Sequence, residues 1–180
     1  MSDKDILLFY GYDFYSDNFA KTSPMNKEVQ YIITTLQESL DGEPWYGRSM
    51  YPILDEVDPS AVFINPNEKE HALIELLYHM IAWAQFIQST LEEDAVKGIT
   101  YYEALDWREI DPTIHTWKNG VKELKATHKR IIELLRSKND DFLATPVSKR
   151  TYNVGYMLHG LIQHNIYHLG QIAYVKKLLE

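Results

Sequence analysis

Apolar residues recur at alternating three- and four-residue spacing in four long segments of this chain, and that period leaves little choice of architecture. The first segment offers Met25, Val29, Ile32, Leu36 and Leu40; the second offers Ala72, Leu76, His79, Trp83 and Phe86. The third carries Ile114, Trp117, Val121, Leu124, His128 and Ile131, and the fourth Val154, Met157, Leu161, His164, His168, Ile172 and Val175. A 3.6-residue period stacks such positions on one face of an α-helix, whereas a strand would need strict alternation. Each stripe must be covered by another. Four amphipathic helices without an alternating strand predict an all-α, four-helix bundle.

Punctuation supports the same division. Ser23-Pro24, Asn65-Pro66 and Asp111-Pro112 each place a capping side chain before a proline. A cap oxygen accepts from an orphan amide, and proline at the first helical position forfeits no hydrogen bond. These signals predict helices over 25–40, from 66 to about 94 and from 112 to about 138, with a fourth from about 151 to the C-terminus. Glu68 completes a capping-box pattern with Asn65. Gly42, Gly98 and Asn139 read as stops, and Lys176 and Lys177 suit the negative end of the last helix. Residues 41–64 hold Trp45, Tyr46 and a short helical stretch around 49–57. Residues 95–110 form a long connection between the second and third helices, compatible with a crossover but not requiring one. The first 22 residues are rich in aromatics (Phe9, Tyr10, Tyr12, Phe14, Tyr15, Phe19) and read as a strap on the bundle or on a partner subunit. One domain over 1–180 is expected.

Composition narrows the function. A net charge of −8 opposes nonspecific nucleic-acid binding, which depends on Lys and Arg displacing counterions. With no cysteine, disulfides, thiolate metal sites and a cysteine nucleophile are excluded. No apolar run approaches the roughly 20 residues of a membrane span. The start carries Asp3 and Asp5, with only residues 6–9 as an apolar stretch. That is no secretory signal, and a cytoplasmic location is expected.

The informative anomaly is histidine on core stripes. His164 and His168 are four apart and project from one helix face, and His79 lies at matching mid-height on the second helix. Two ligands from one helix and one from a neighbour make a three-nitrogen site for Zn, Ni, Co, Cu or Fe, with a position left for water or substrate. The competing reading is three separately hydrogen-bonded core histidines, each needing its own partners. Trp83, one turn from His79, reads as cavity lining or as an ordinary core aromatic; Trp45, Tyr46 and Arg48 are candidates to cover the mouth. Glu75 is read as a solvated charge or as an orienting partner for His79, and His128 as a further ligand, a partner behind the ligands or a satisfied core residue. The stretch His164-Asn165-Ile166-Tyr167-His168 has zincin spacing without the glutamate that serves as general base, so a peptidase of that class is not expected. A ferritin-like di-iron centre is not expected either, because Glu68…His71 is a solitary Glu-x-x-His unit.

His79 with Trp83, and His164-x-x-x-His168 followed by Gly170-Gln171-Ile172, resemble the DinB-like family; Trp45-Tyr46-Gly47 and Trp107 fit the same layout. The likeness runs from about residue 24 to the end. It implies a four-helix bundle with a long connection between helices 2 and 3, and a divalent metal, often nickel or zinc, on His79, His164 and His168. It further implies a homodimer, and an activity among metal-dependent thiol transferases, a thiol-dependent isomerase or uncharacterised members. A metal-dependent transferase or hydrolase that activates a thiol or water, with a low-molecular-weight thiol as a second cofactor, is therefore expected. A non-catalytic metal-binding or stress-related interaction module is the alternative. Asn165 stands where relatives often have aspartate, which argues against acid–base chemistry at that position.

Overall fold

Helix α3 (Leu73–Leu91) sits at the centre because its sequence, LIELLYHMIAWAQFIQSTL, has almost no polar face to show solvent. Fourteen of its nineteen residues are buried, as expected for a helix apolar on every side. Around it pack α5 (Trp117–Leu135), α7 (Val154–Leu179) and the short α4 (Ile99–Leu105). Helix α1 (Lys27–Asp41) lies against α7 and α5, with α2 (Met50–Asp55) and α6 (Asp140–Leu143) filling gaps beside it. These are the elements of a computed structural model that describes residues 26–67, 70–93 and 97–180. The fold is all-helical, with seven helices and no strand among the described residues. No helix among them is long and apolar enough to cross a membrane.

Amphipathicity explains the outer helices. In α5 the buried positions are Trp117, Gly120, Val121, Leu124, Thr127, His128, Ile131 and Leu135, a stripe of three- and four-residue steps; lysines and glutamates take the other face. The predicted stripes hold in α1, α3 and α7. Ile114 is an exception: it stands exposed in a turn before α5.

Helix ends depart from the sequence reading for local reasons. Residues 65–71 are polar and have no face to bury, so α3 begins only where the apolar run starts. Glu75 Oε2 accepts from Ala72 N at 2.7 Å, while Asn65 Nδ2 is spent on Glu70 O at 2.9 Å. Asp111 likewise starts a turn rather than a helix: its Oδ1 accepts from Thr113 N at 2.9 Å. Thr116 then caps α5 by accepting from Asn119 N at 3.3 Å. Gly98 and Asn139, read as stops, are the N-caps of α4 and α6. Asn153 caps α7, accepting from Tyr156 N at 2.9 Å. Helix α1 borrows its cap from far along the chain: Asp140 Oδ1 and Oδ2 accept from Val29 N and Glu28 N at 2.9 and 3.2 Å. The predicted cap Ser23-Pro24, the aromatic strap, Met25, Glu68 and Asp94 lie outside the described residues.

Gly120 shows how closely α5 approaches α3. A Cβ there would stand 2.7 Å from Leu77 Cδ2 and 3.1 Å from Tyr78 Cε2, whereas one at Gly160 on α7 would meet nothing within 4 Å. Gly120→Val should therefore lower unfolding free energy by about 1–3 kcal/mol through overpacking. Gly160→Ala should raise it by about 0.5–1 kcal/mol. Urea denaturation of the two variants checks both signs.

Candidate metal centre

His79 lies on the face of α3 that packs against α7, and His164 and His168 face it from successive turns of α7. Their rings meet. His79 Nε2 is 2.9 Å from His164 Nε2 and 2.9 Å from His168 Nε2. The three are the one His/Cys/Asp/Glu group among the described residues with the geometry to hold a metal ion.

The atoms behind the rings decide which tautomers are present. His79 Nδ1 donates to Asp106 Oδ1. Asp106 follows the last residue of α4 and also accepts from Trp83 Nε1 at 3.3 Å. His168 Nδ1 donates to Gln171 Oε1 at 2.6 Å. With both Nδ1 atoms protonated, the Nε2 atoms of His79 and His168 point lone pairs at each other across 2.9 Å. His164 can place a hydrogen toward His79, but no neutral tautomer of it satisfies the His79–His168 contact. Its Nδ1 is buried without a partner. A positive charge at the convergence point removes the conflict, and three neutral imidazoles are a suitable donor set for a divalent transition metal. The residues fit such an ion.

A proton is a poor substitute for that charge. Burial, reinforced by the neighbouring histidines, pushes His164 down to about 3 and His168 down to about 4. Burial also lowers His79, although Asp106 opposes it. At neutral pH all three are uncharged, the form that ligates metals.

Trp107 closes one side. Its ring stacks on His79 at 4.0 Å and 16°, and on its other face carries His71 at 3.7 Å and 12°. The Trp107 backbone sits at φ 42°, a left-handed conformation that costs a bulky residue roughly 1–3 kcal/mol. Arg108 anchors the segment, donating to Leu105 O at 3.0 Å and Tyr78 O at 3.3 Å.

Of the residues singled out from sequence, the structure unites His79, His164, His168 and Trp83. Trp45 is fully exposed and Tyr46 is 43% exposed. Arg48 forms a bidentate pair with Glu56, and none of these three touches the histidines. Glu75 turns back to its own helix terminus, so the orienting carboxylate is Asp106 instead. His128 is fully buried as a satisfied core residue, 3.1 Å from Asn165 Nδ2 and 3.3 Å from Tyr51 OH. Asn165 thus belongs to that network. Sequence reasoning missed Asp106 because it lies in an irregular joint where no period marks it. Gln171 was visible only as part of the family-like tail.

A family model described as the DinB superfamily matches residues 47–172, a span that includes all three histidines and Asp106. No curated protein and no solved structure matches.

Two outcomes follow from this geometry. Asp106→Asn, which keeps the shape but loses the charge behind His79, should weaken divalent-metal affinity about 10- to 100-fold by competition with a chelating dye. In metal-free protein the buried histidines refuse protons that the unfolded chain takes up below about 6.5, so the unfolded state binds more protons there. Stability should be full above that pH and decline as pH falls toward about 3, the value to which burial lowers His128. The slope is up to about 1.4 kcal/mol per pH unit for each such group. Urea midpoints at pH 7, 6 and 5 measure it, and His128→Gln should flatten the dependence.

Proposed function

Because the chain belongs to the DinB superfamily, we propose that it is a metal-dependent enzyme that activates a thiol or water, of the S-transferase or hydrolase type, with His79, His164 and His168 holding nickel or zinc. The observation that carries this reading is the convergence of three Nε2 atoms, two of them 2.9 Å from the third, with Asp106 and Gln171 fixing the rings from behind. When bound, a divalent metal supplies a Lewis acid that can lower the pKa of water from 15.7 to about 7 and deprotonate a thiol comparably.

The protein's own residues do the rest. Asp106 holds the His79 Nδ1 proton and so keeps the Nε2 lone pair aimed inward; Gln171 does the same for His168. Three histidines leave room for a nucleophile or substrate, which distinguishes a working site from a closed structural one. The long helices α1, α3, α5 and α7 correspond in this reading to a family-type four-helix bundle. The stretch 92–116, with α4 inside it, serves as the long connection that delivers Asp106 and Trp107. A homodimer and a cytoplasmic location complete the proposal.

Elemental analysis of purified protein should find about one divalent ion per chain. His168→Ala should lose it while far-UV circular dichroism stays nearly unchanged. Full metal content in the triple alanine variant of His79, His164 and His168 would sink the assignment. Metal-dependent turnover of a thiol-conjugation or ester substrate would separate the enzyme from a non-catalytic metal-binding or stress-related module.

A further inference from the structure

The histidine cluster has an aromatic rim. Trp107 is 41% exposed and Tyr167 64% exposed, and both stand edge-on to His168, with ring centroids 6.3 Å and 4.9 Å away at 70° and 78°. His71 rests on the outer face of Trp107. Its one charged contact among the described residues is a 3.7 Å approach to Glu75, whose carboxylate is already engaged by Ala72 N.

The charged groups packed at this rim are similarly committed. Asp106 serves His79 and Trp83, and the Arg108 guanidinium serves two backbone carbonyls. Among the described residues the rim thus offers flat, polarisable surface in place of a free cation. Away from the ion itself, an anionic group at the rim would meet the Asp106 carboxylate on a chain of net charge −8. A flat uncharged group would find the exposed Tyr167 ring and the free edge of Trp107, whose two faces His79 and His71 already cover.

We propose that Trp107 and Tyr167 are the walls of a substrate subsite beside the histidines, and that it takes a flat, uncharged organic group such as an aromatic ring or a conjugated carbonyl compound. This deepens the metal-centre reading and rests on it. The left-handed backbone of Trp107 holds an indole at a place where a relaxed chain would turn it away, a cost consistent with a role in binding.

The test compares two chelating probes that share one metal-binding head, acetohydroxamate and benzohydroxamate, titrated into zinc-loaded protein by calorimetry. Benzohydroxamate should bind about tenfold more tightly, the size of one good aromatic contact. Trp107→Leu, which keeps apolar bulk over His79, should cut that ratio at least threefold, and so should the exposed change Tyr167→Ala. Zinc content and acetohydroxamate affinity should be unchanged in Tyr167→Ala; for Trp107→Leu, which alters the ring stacked on His79, the ratio is taken at zinc saturation. A ratio near one in the wild type, or a ratio unmoved by both substitutions at full zinc content, would overturn the subsite while leaving the metal centre standing. Failure of the wild-type protein to hold zinc, read by elemental analysis, would overturn both.

Discussion

Three imidazole nitrogens point at one another inside a packed helical interior, and no arrangement of neutral protons satisfies them. Lone pairs held 2.9 Å apart repel, and each buried polar atom left unsatisfied costs about 1–3 kcal/mol. The conflict is not accidental crowding. Asp106 and Gln171 hold the far nitrogens of His79 and His168 in the tautomers that create it. Folding therefore builds a point where a cation would relieve the repulsion, at a cost to the metal-free protein. The same burial that disfavours protonation of the rings keeps them ready as ligands.

The packing around α3 explains how the chain sustains that cost. With most of its surface buried, α3 anchors the interior, and burial of a single large aliphatic side chain is worth about 1.5–3 kcal/mol. Residues such as Leu77, Met80 and Ile81 are entirely enclosed within a turn of His79. Strain at Trp107 is offset in a similar way. Its left-handed backbone is matched by two ring stacks, each worth about 0.5–1.5 kcal/mol, and by the Arg108 bonds beside it. The segment after α4 is thus rigid by contact, which lets a stretch without periodicity place a carboxylate and an indole against the centre.

His128 shows that a histidine on a core stripe is not enough to make a ligand. It shares the spacing logic of His79 and is more deeply buried, yet Asn165 and Tyr51 satisfy both of its nitrogens. What separates the two is the partner across the interface. His79 faces other imidazoles; His128 faces an amide and a phenol.

Much of this was legible from the chain alone, because helical periodicity is a local property: residues three and four apart share a face whatever surrounds them. The four stripes, the all-helical class and the placement of His79, His164 and His168 on inward faces came from that rule. Helix starts were legible only where polarity and capping agreed. Asn65-Pro66 and Asp111-Pro112 carry the right side chains, but the polar residues after them bury nothing, so the helices wait for Ala72 and Thr116. Tertiary structure alone decided the partners distant in sequence: Asp140 capping α1, Asp106 behind His79, Trp107 between His71 and His79. Such contacts depend on where an irregular connection lands after the helices have packed, and no repeating spacing encodes that position.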